Sequence, residues 1–411
     1  MLRRDFLAGL AAATLAPTLA RAATDYAGDV RWLIDTMARR YVYLPDRYID
    51  LDKLRAIYVP MAQGVSDDHA FLGVLETLLA EFHDHHIEAN TNNGDSPQLV
   101  PTGAECWAGF KNGEAVVEAV RPGSSLAAAG LRAGHRIVSI AGVPVRDAVA
   151  AHGPKALSAP DPEADDYTLR ILLAGTHRAR RIFTYADIDN VEHRIDLPPH
   201  ERGPDAPLLM VKHIDPEIAW LRPGNSLGDT ALIAEFDKTL AEVRHVRGLI
   251  LDLRDTPSGG NTDVAEPILG RFIAKKSYYQ RMFAPGPHKS FPKNSTLRWV
   301  RPRGPFMATN NLVVLCDRWT GSMGEGMTIG LDGMRRATIV GTRMAGLCGA
   351  TDGVTLPASG IGVHFPTLRL YHLNGTPRER FVPEHYVDLA GASGEDPILA
   401  RGIAVLRHMP R

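Results

Sequence analysis

The chain has 411 residues and only three cysteines, Cys106, Cys316 and Cys348. An odd and sparse set excludes a disulfide framework, and no paired Cys spacing marks a zinc site. Small buried side chains are the expectation, with one disulfide pair left open. Charge of one sign is also lacking: 46 basic against 47 acidic residues give a formal net charge of -1. Nucleic acid is therefore not an evident partner. Beyond the N-terminus no apolar run reaches the roughly 18 residues of a spanning helix, so no stable membrane insertion is expected of the mature chain. Fixed repeats and low-complexity segments are absent too. Lysine is scarce, and none follows Lys293. Positive charge beyond that point is arginine, which stays protonated at any working pH and cannot serve as a base.

What remains is a composition with 45% hydrophobic and 23% charged residues. It fits a soluble, core-forming protein, and at about 100 to 200 residues per domain it predicts two or three domains. Residues 1–22 combine Arg3-Arg4-Asp5-Phe6-Leu7, an alanine and leucine run, and Ala20-Arg21-Ala22. This is the charged, apolar and small-residue order of a signal peptide, and the paired arginines resemble a twin-arginine export signal. Cleavage near Ala22 and an exported, periplasmic mature protein are expected.

Three regions follow. Over 27–97, apolar positions at helical spacing (Val30, Leu33, Ile34, Met37; Phe71, Leu72, Leu75, Leu78, Leu79) predict a small helical domain, ended by the turn-rich run Thr91–Pro97. Over 98–200, a strand at Ala115–Val120, a small-residue helix after Gly123, Gly130-Leu131 and a strand at Ile137–Ile140 resemble a PDZ domain. The resemblance puts Gly109 and Phe110 where the carboxylate-binding loop meets the peptide-binding strand, and it puts His135 where an acid is usual. Such a module adds a peptide as an extra strand; packing on a neighbour without binding is the alternative. After the Pro-rich stretch Pro198–Pro207, helices alternate with buried strands over 208–411, an α/β pattern.

In this last region two buried strands run into glycines and then a helix. One reads Leu251-Asp252-Leu253-Arg254-Asp255-Thr256-Pro257-Ser258-Gly259-Gly260-Asn261, the other Asp317-Arg318-Trp319-Thr320-Gly321-Ser322-Met323-Gly324-Glu325. Backbone N–H groups at such helix starts can stabilise an oxyanion, and Ser322 stands where a nucleophile is exposed. Each feature alone has a plainer reading: a helix-capping serine and an ordinary glycine turn.

Together and in this order these segments resemble the S41 peptidases, which include C-terminal processing proteases and the tricorn core protease. The resemblance implies an α/β fold: a ClpP/crotonase-like peptidase core, a PDZ-like β-rich domain and a small N-terminal helical domain. It carries Asp252, Arg254 and Gly259-Gly260 onto the family's oxyanion strand and Thr320, Ser322 and Glu325 onto its nucleophile segment. Thr256 departs from the usual asparagine, and which glycine gives its N–H stays open. One branch of the family uses a lysine after Gly-x-x-Thr-x-Gly. Here Gly341-Thr342-Arg343-Met344-Ala345-Gly346-Leu347 has Leu347 in that place, which excludes a Ser-Lys dyad there.

The tricorn-like branch takes a histidine after an apolar helix. Phe82-His83-Asp84-His85-His86 aligns His86 with it, an imidazole able to accept and return the hydroxyl proton. Gly375–Glu384 carries over Glu379 as an orienting carboxylate, with Glu384 replacing an aspartate. A zinc site at His83, His85 and His86 and a plain capping histidine are the alternatives, and His364, His372 and His385 fall in no family motif. The resemblance thus implies an exported serine endopeptidase acting on unfolded or C-terminal segments of proteins, needing no cofactor. Its site would be Ser322, His86, Glu379 and the N–H groups of Met323 and Gly259 or Gly260. A non-catalytic peptide-binding protein on the same fold and a serine hydrolase of other esters or amides are the rivals.

Overall fold

The computed structural model describes residues 24–201, 206–390, 392 and 395–410. Residues 1–22, where a signal peptide is expected, lie outside the described residues. No helix among those described is long and apolar enough to cross a membrane.

Three α-helices come first among the described residues, Tyr26–Arg40, Leu51–Gln63 and Asp68–Ala80, each begun by an aspartate whose carboxylate accepts backbone N–H groups of the first turn. Asp25, Asp50 and Asp67 are the caps, a role worth about 1 kcal/mol each. The apolar stripe Val30, Leu33, Ile34 and Met37 is fully buried. Its core is not self-contained, because Cys348, Leu356, Val363 and Phe365 from the far end of the chain complete it. The two-residue strand Glu88–Ala89 stitches the same join, pairing antiparallel with Gly362–Tyr371. That strand also belongs to a five-stranded sheet with Ser277–Phe283, Thr296–Val300 and Ala350–Thr355.

The second region is a six-stranded antiparallel sheet in the order Cys106–Lys111, Glu114–Val120, Arg136–Ile140, Arg181–Ala186, Glu192–Leu197, with the short Val143–Pro144 beside Arg136–Ile140. Helices Val145–His152 and Pro162–Ala174 cover it. His135 stacks on Tyr185 at 5.0 Å, so an aromatic pair occupies the position where an acid was the usual residue.

The third region holds a six-stranded sheet in the order His385–Tyr386, Thr338–Gly341, Asn311–Cys316, Gly248–Asp252, Ile218–Pro223, Leu209–Asp215. All neighbours are parallel except the last pair. Period-two alternation sends Leu249, Leu251, Leu312 and Val314 to one face, against helices Ala231–Glu242, Thr262–Leu269 and Met323–Gly333. Ile250, Val313 and Leu315 go to the other, against helix Pro397–His408. Both faces are buried, which explains the unbroken apolar runs in these strands. Because the central strands are parallel, their carboxyl ends share one edge, the usual place for a site in such sheets. Both glycine-containing loops emerge there.

Candidate active site

The loop after Gly248–Asp252 is fixed from beneath. Arg254 grips Asp252 and Asp396 with its guanidinium, tying the strand to the cap of the C-terminal helix. Thr256, fully buried, donates its hydroxyl to the Leu253 carbonyl at 2.8 Å, and its N–H goes to Trp319 O. A Cβ on Gly324 would sit 2.3 Å from Thr256 Oγ1, so Thr256 fills the space under the first turn of the helix that begins at Met323. The threonine at this position is thus a packing piece linking the two loops.

Gly259 and Gly260 are sterically obligatory. A Cβ on Gly259 would lie 2.4 Å from Ser322 Cβ, and one on Gly260 would lie 2.1 Å from Leu227 O. Gly259 also has φ +65, a conformation that costs other residues. The N–H of Gly259 is committed to Thr256 O at 2.9 Å. That of Gly260, an exposed residue, donates to nothing among the described residues, and neither does that of Met323.

Ser322 stands at the cap position of helix Met323–Gly333 with φ 46, in the left-handed region that a non-glycine residue enters only under constraint. The constraint is Glu325, fully buried, whose Oε2 accepts the Ser322 N–H at 2.9 Å while Oε1 accepts that of Gly346 at 2.9 Å. Burial pushes the Glu325 carboxyl up to about 7, opposed by Arg378 and these two N–H groups.

Ser322 Oγ meets His86 Nε2 at 3.2 Å, across 236 residues of chain. The other ring nitrogen, Nδ1, lies 2.6 Å from the Cys348 carbonyl, which can only accept. Nδ1 therefore carries the proton, and Nε2 of the neutral ring is left with its lone pair toward the serine hydroxyl. Asp84 holds the backbone of this turn: Oδ1 accepts the His86 N–H at 2.9 Å and Oδ2 accepts the Tyr41 hydroxyl at 2.9 Å. Burial, reinforced by the Arg378 charge, lowers the His86 imidazole to about 4.

Glu379 does not hold the ring, since both ring nitrogens are engaged elsewhere; its Oε2 is buried and makes no hydrogen bond among the described residues. Burial raises its carboxyl. The orienting acceptor is a backbone carbonyl instead, a group that no side-chain motif reveals. Arg378, one residue before Glu379, points into the site and donates to Ser322 O, Leu347 O and Gly349 O. Leu347 itself packs beside Gly321, so the position of a family lysine is filled by an apolar side chain.

The three neighbouring histidines diverge. His83 faces Asp161 at 2.8 Å, His85 stacks on Tyr167 at 4.4 Å and His86 faces Ser322. Of the other histidines, His372 pairs with Asp332 and His385 with Arg401, while His364 lies across from Glu88 in the paired strands. Cys106, Cys316 and Cys348 are buried and free.

Gly109 and Phe110 do not offer an open strand edge. The Phe110 N–H donates to Asp166 Oδ1 at 2.7 Å, the neighbouring Ala108 carbonyl accepts from Arg170 Nε at 2.9 Å, and a Cβ on Gly109 would touch the Asp166 carboxylate. Both ligands come from helix Pro162–Ala174, so the edge expected to take a peptide is closed by side chains of the module itself. The module is instead joined to the site loops. Trp319 Nε1 donates to Ala104 O at 2.8 Å, Arg318 to Glu118 at 2.6 Å and Arg121 to Asp255 at 2.7 Å.

The comparisons agree with this architecture. Residues 116–152 match the PDZ domain model. No curated protein matches the chain in sequence. Among solved structures, mature CPAF bound to lactacystin aligns over 93% of this chain and 97% of its own, at 14% identity and TM-score 0.59. The photosystem II D1 C-terminal processing protease aligns over the same shares at 18% identity and TM-score 0.57. A putative peptidase from Parabacteroides merdae does so at 16% identity and TM-score 0.52. At such identities these likenesses establish the fold. Residues 227–386, which include both loops, Ser322 and Glu379, match the model of Peptidase family S41.

Proposed function

We propose that the chain is an exported serine endopeptidase in which Ser322 is the nucleophile and His86 the general base and then acid. The contact that carries this reading is His86 Nε2 to Ser322 Oγ at 3.2 Å, made by a ring whose proton is held on the opposite nitrogen by Cys348 O. On attack, the serine proton passes to Nε2 and the scissile carbonyl becomes a tetrahedral oxyanion. The free N–H groups of Met323 and Gly260 are its donors; a missing donor typically costs about 100 to 1000-fold in rate. The imidazolium returns its proton to the leaving amine, and water repeats the sequence on the acyl-enzyme. A base lowered to about 4 is a weaker proton acceptor than free imidazole, but it is fully in its basic form at neutral pH.

Glu379 makes no bond to the ring; its buried carboxyl bears on Glu325, the partner of Arg378. Unfolded or C-terminal segments of proteins are the substrate class, supported by the shared fold of the D1 C-terminal processing protease. Export rests on the order of residues 1–22.

The test is to incubate chain lacking residues 1–22 with an unfolded protein and with a fluorophosphonate serine label. Cleavage and labelling of Ser322 are expected, with both lost in His86→Ala. Wild type that neither cleaves nor labels would sink the reading.

A further inference from the structure

Arg378 opens the short helical turn Arg378–Arg380, and its side chain is only 3% exposed. A buried guanidinium demands several acceptors, and here they have a pattern. Nη1 donates to the carbonyl of Ser322 at 3.1 Å, while Nη2 donates to those of Leu347 at 2.9 Å and Gly349 at 2.7 Å. The Glu325 carboxylate lies 3.7 Å away and takes the N–H groups of Ser322 and Gly346. The ion pair therefore grips Ser322 by both its backbone polar groups, and grips the 346–349 segment on both sides of Cys348. In that segment the carbonyls of Leu347 and Gly349 go to Arg378, and the one between them, of Cys348, goes to His86.

We propose that Arg378 is a positioning residue that locks the nucleophile's turn and the His86-holding carbonyl into one frame, setting the serine–histidine distance without touching substrate. The proposal rests on the serine–histidine reading above. A planar fork reaches three carbonyls in fixed directions, and a lysine ammonium does not. Small misplacements of a base cost large factors in rate, so the frame is expected to show in kcat rather than in KM. The charges facing His86 are Arg378 and, from its own turn, Asp84; Cys348 O and Ser322 Oγ complete its polar surroundings.

The experiment uses the mature chain with Arg378→Lys, Arg378→Met and the double variant Arg378→Met/Glu325→Gln, which leaves no unpaired buried carboxylate should the single variant unfold. Cleavage of an unfolded protein gives kcat and KM. The His86 imidazole is titrated by NMR, its resonance assigned by its loss in His86→Gln. Arg378→Lys is expected to keep KM within about twofold and lose about 10 to 100-fold in kcat, with His86 titrating as in wild type. Arg378→Met and the double variant are expected to lose at least as much kcat and to move the His86 titration upward. Wild-type kcat in Arg378→Lys or in the double variant would overturn the proposal. If wild type itself neither cleaves nor labels, the earlier reading fails and the titration alone decides. A His86 resonance unmoved by Arg378→Met or by the double variant then overturns the positioning role.

Discussion

At the carboxyl ends of strands Gly248–Asp252 and Asn311–Cys316, the N–H groups of Gly260 and Met323 donate to nothing among the described residues. On the strand Cys106–Lys111, by contrast, Phe110 N–H and Ala108 O are both taken by Asp166 and Arg170. Both places present backbone N–H groups that could hold a carboxylate or an oxyanion. The core leaves them open beside a serine in a constrained conformation. The PDZ-like module closes them with its own helix and spends its other polar contacts on the two site loops. The module is therefore tied to both site loops, and capture of a peptide on that edge requires displacing an ion pair already there.

The sharpest way to break this contrast is at the open end. Ser322→Ala is expected to abolish labelling and reduce cleavage of an unfolded protein by about 10⁴-fold or more. Retained turnover would move the chemistry elsewhere. Gly259→Ala comes next, because the added Cβ would lie 2.4 Å from Ser322 Cβ. It should lower kcat by about 100-fold or more and destabilise the fold by about 1–3 kcal/mol, readable as a lower Tm. Equal activity in this variant would mean that the loop yields freely.

The pH dependence is a smaller effect with a definite sign. His86 is lowered to about 4 by burial and the Arg378 charge, so its basic form is present above that value. The acid limb of kcat/KM should lie well below the usual imidazole range near 6.5. The same shift makes the unfolded chain bind the proton first, so this group's contribution to stability is full above about 6.5 and is lost as pH falls toward about 4. A limb at the ordinary imidazole value would contradict the buried ring. The smallest effect belongs to the closed end. Asp166→Ala should leave kcat within about threefold, cost about 1–2 kcal/mol in stability, and allow a C-terminal peptide to bind where wild type does not. Calorimetry with a peptide bearing a free carboxylate reads this directly, and equal binding by wild type would erase the contrast.

Much of this was legible in the chain. The buried strands before Asp252 and Asp317 and the helical spacing around Leu33 are written as apolar periodicity. The two glycines before Asn261 mark a turn, and close packing against Ser322 and Leu227 is their physical reason. The rest was hidden for equally physical reasons. Glu379 looked like the orienting group because carboxylates announce themselves in a motif, whereas the acceptor used is the carbonyl of Cys348, which every residue possesses. Arg378 belongs to no motif, since nothing local says that a guanidinium will turn inward. Gly109 and Phe110 appeared open because the helix bearing Asp166 lies more than fifty residues away in sequence.

The sequence alone determined which chemistry was possible. With no lysine after Lys293 and Leu347 at the family's lysine position, a Ser-Lys dyad there is excluded, and the proposed base is a histidine of the helical region. Tertiary structure decided how that histidine is used. The core of the helical unit is completed by Val363 and Phe365, and the strand Glu88–Ala89 is paired to theirs. Burying that shared apolar surface carries His86 across 236 residues to Ser322. Its tautomer, its lowered basicity and its distance from the hydroxyl are properties of that junction and not of any segment within it.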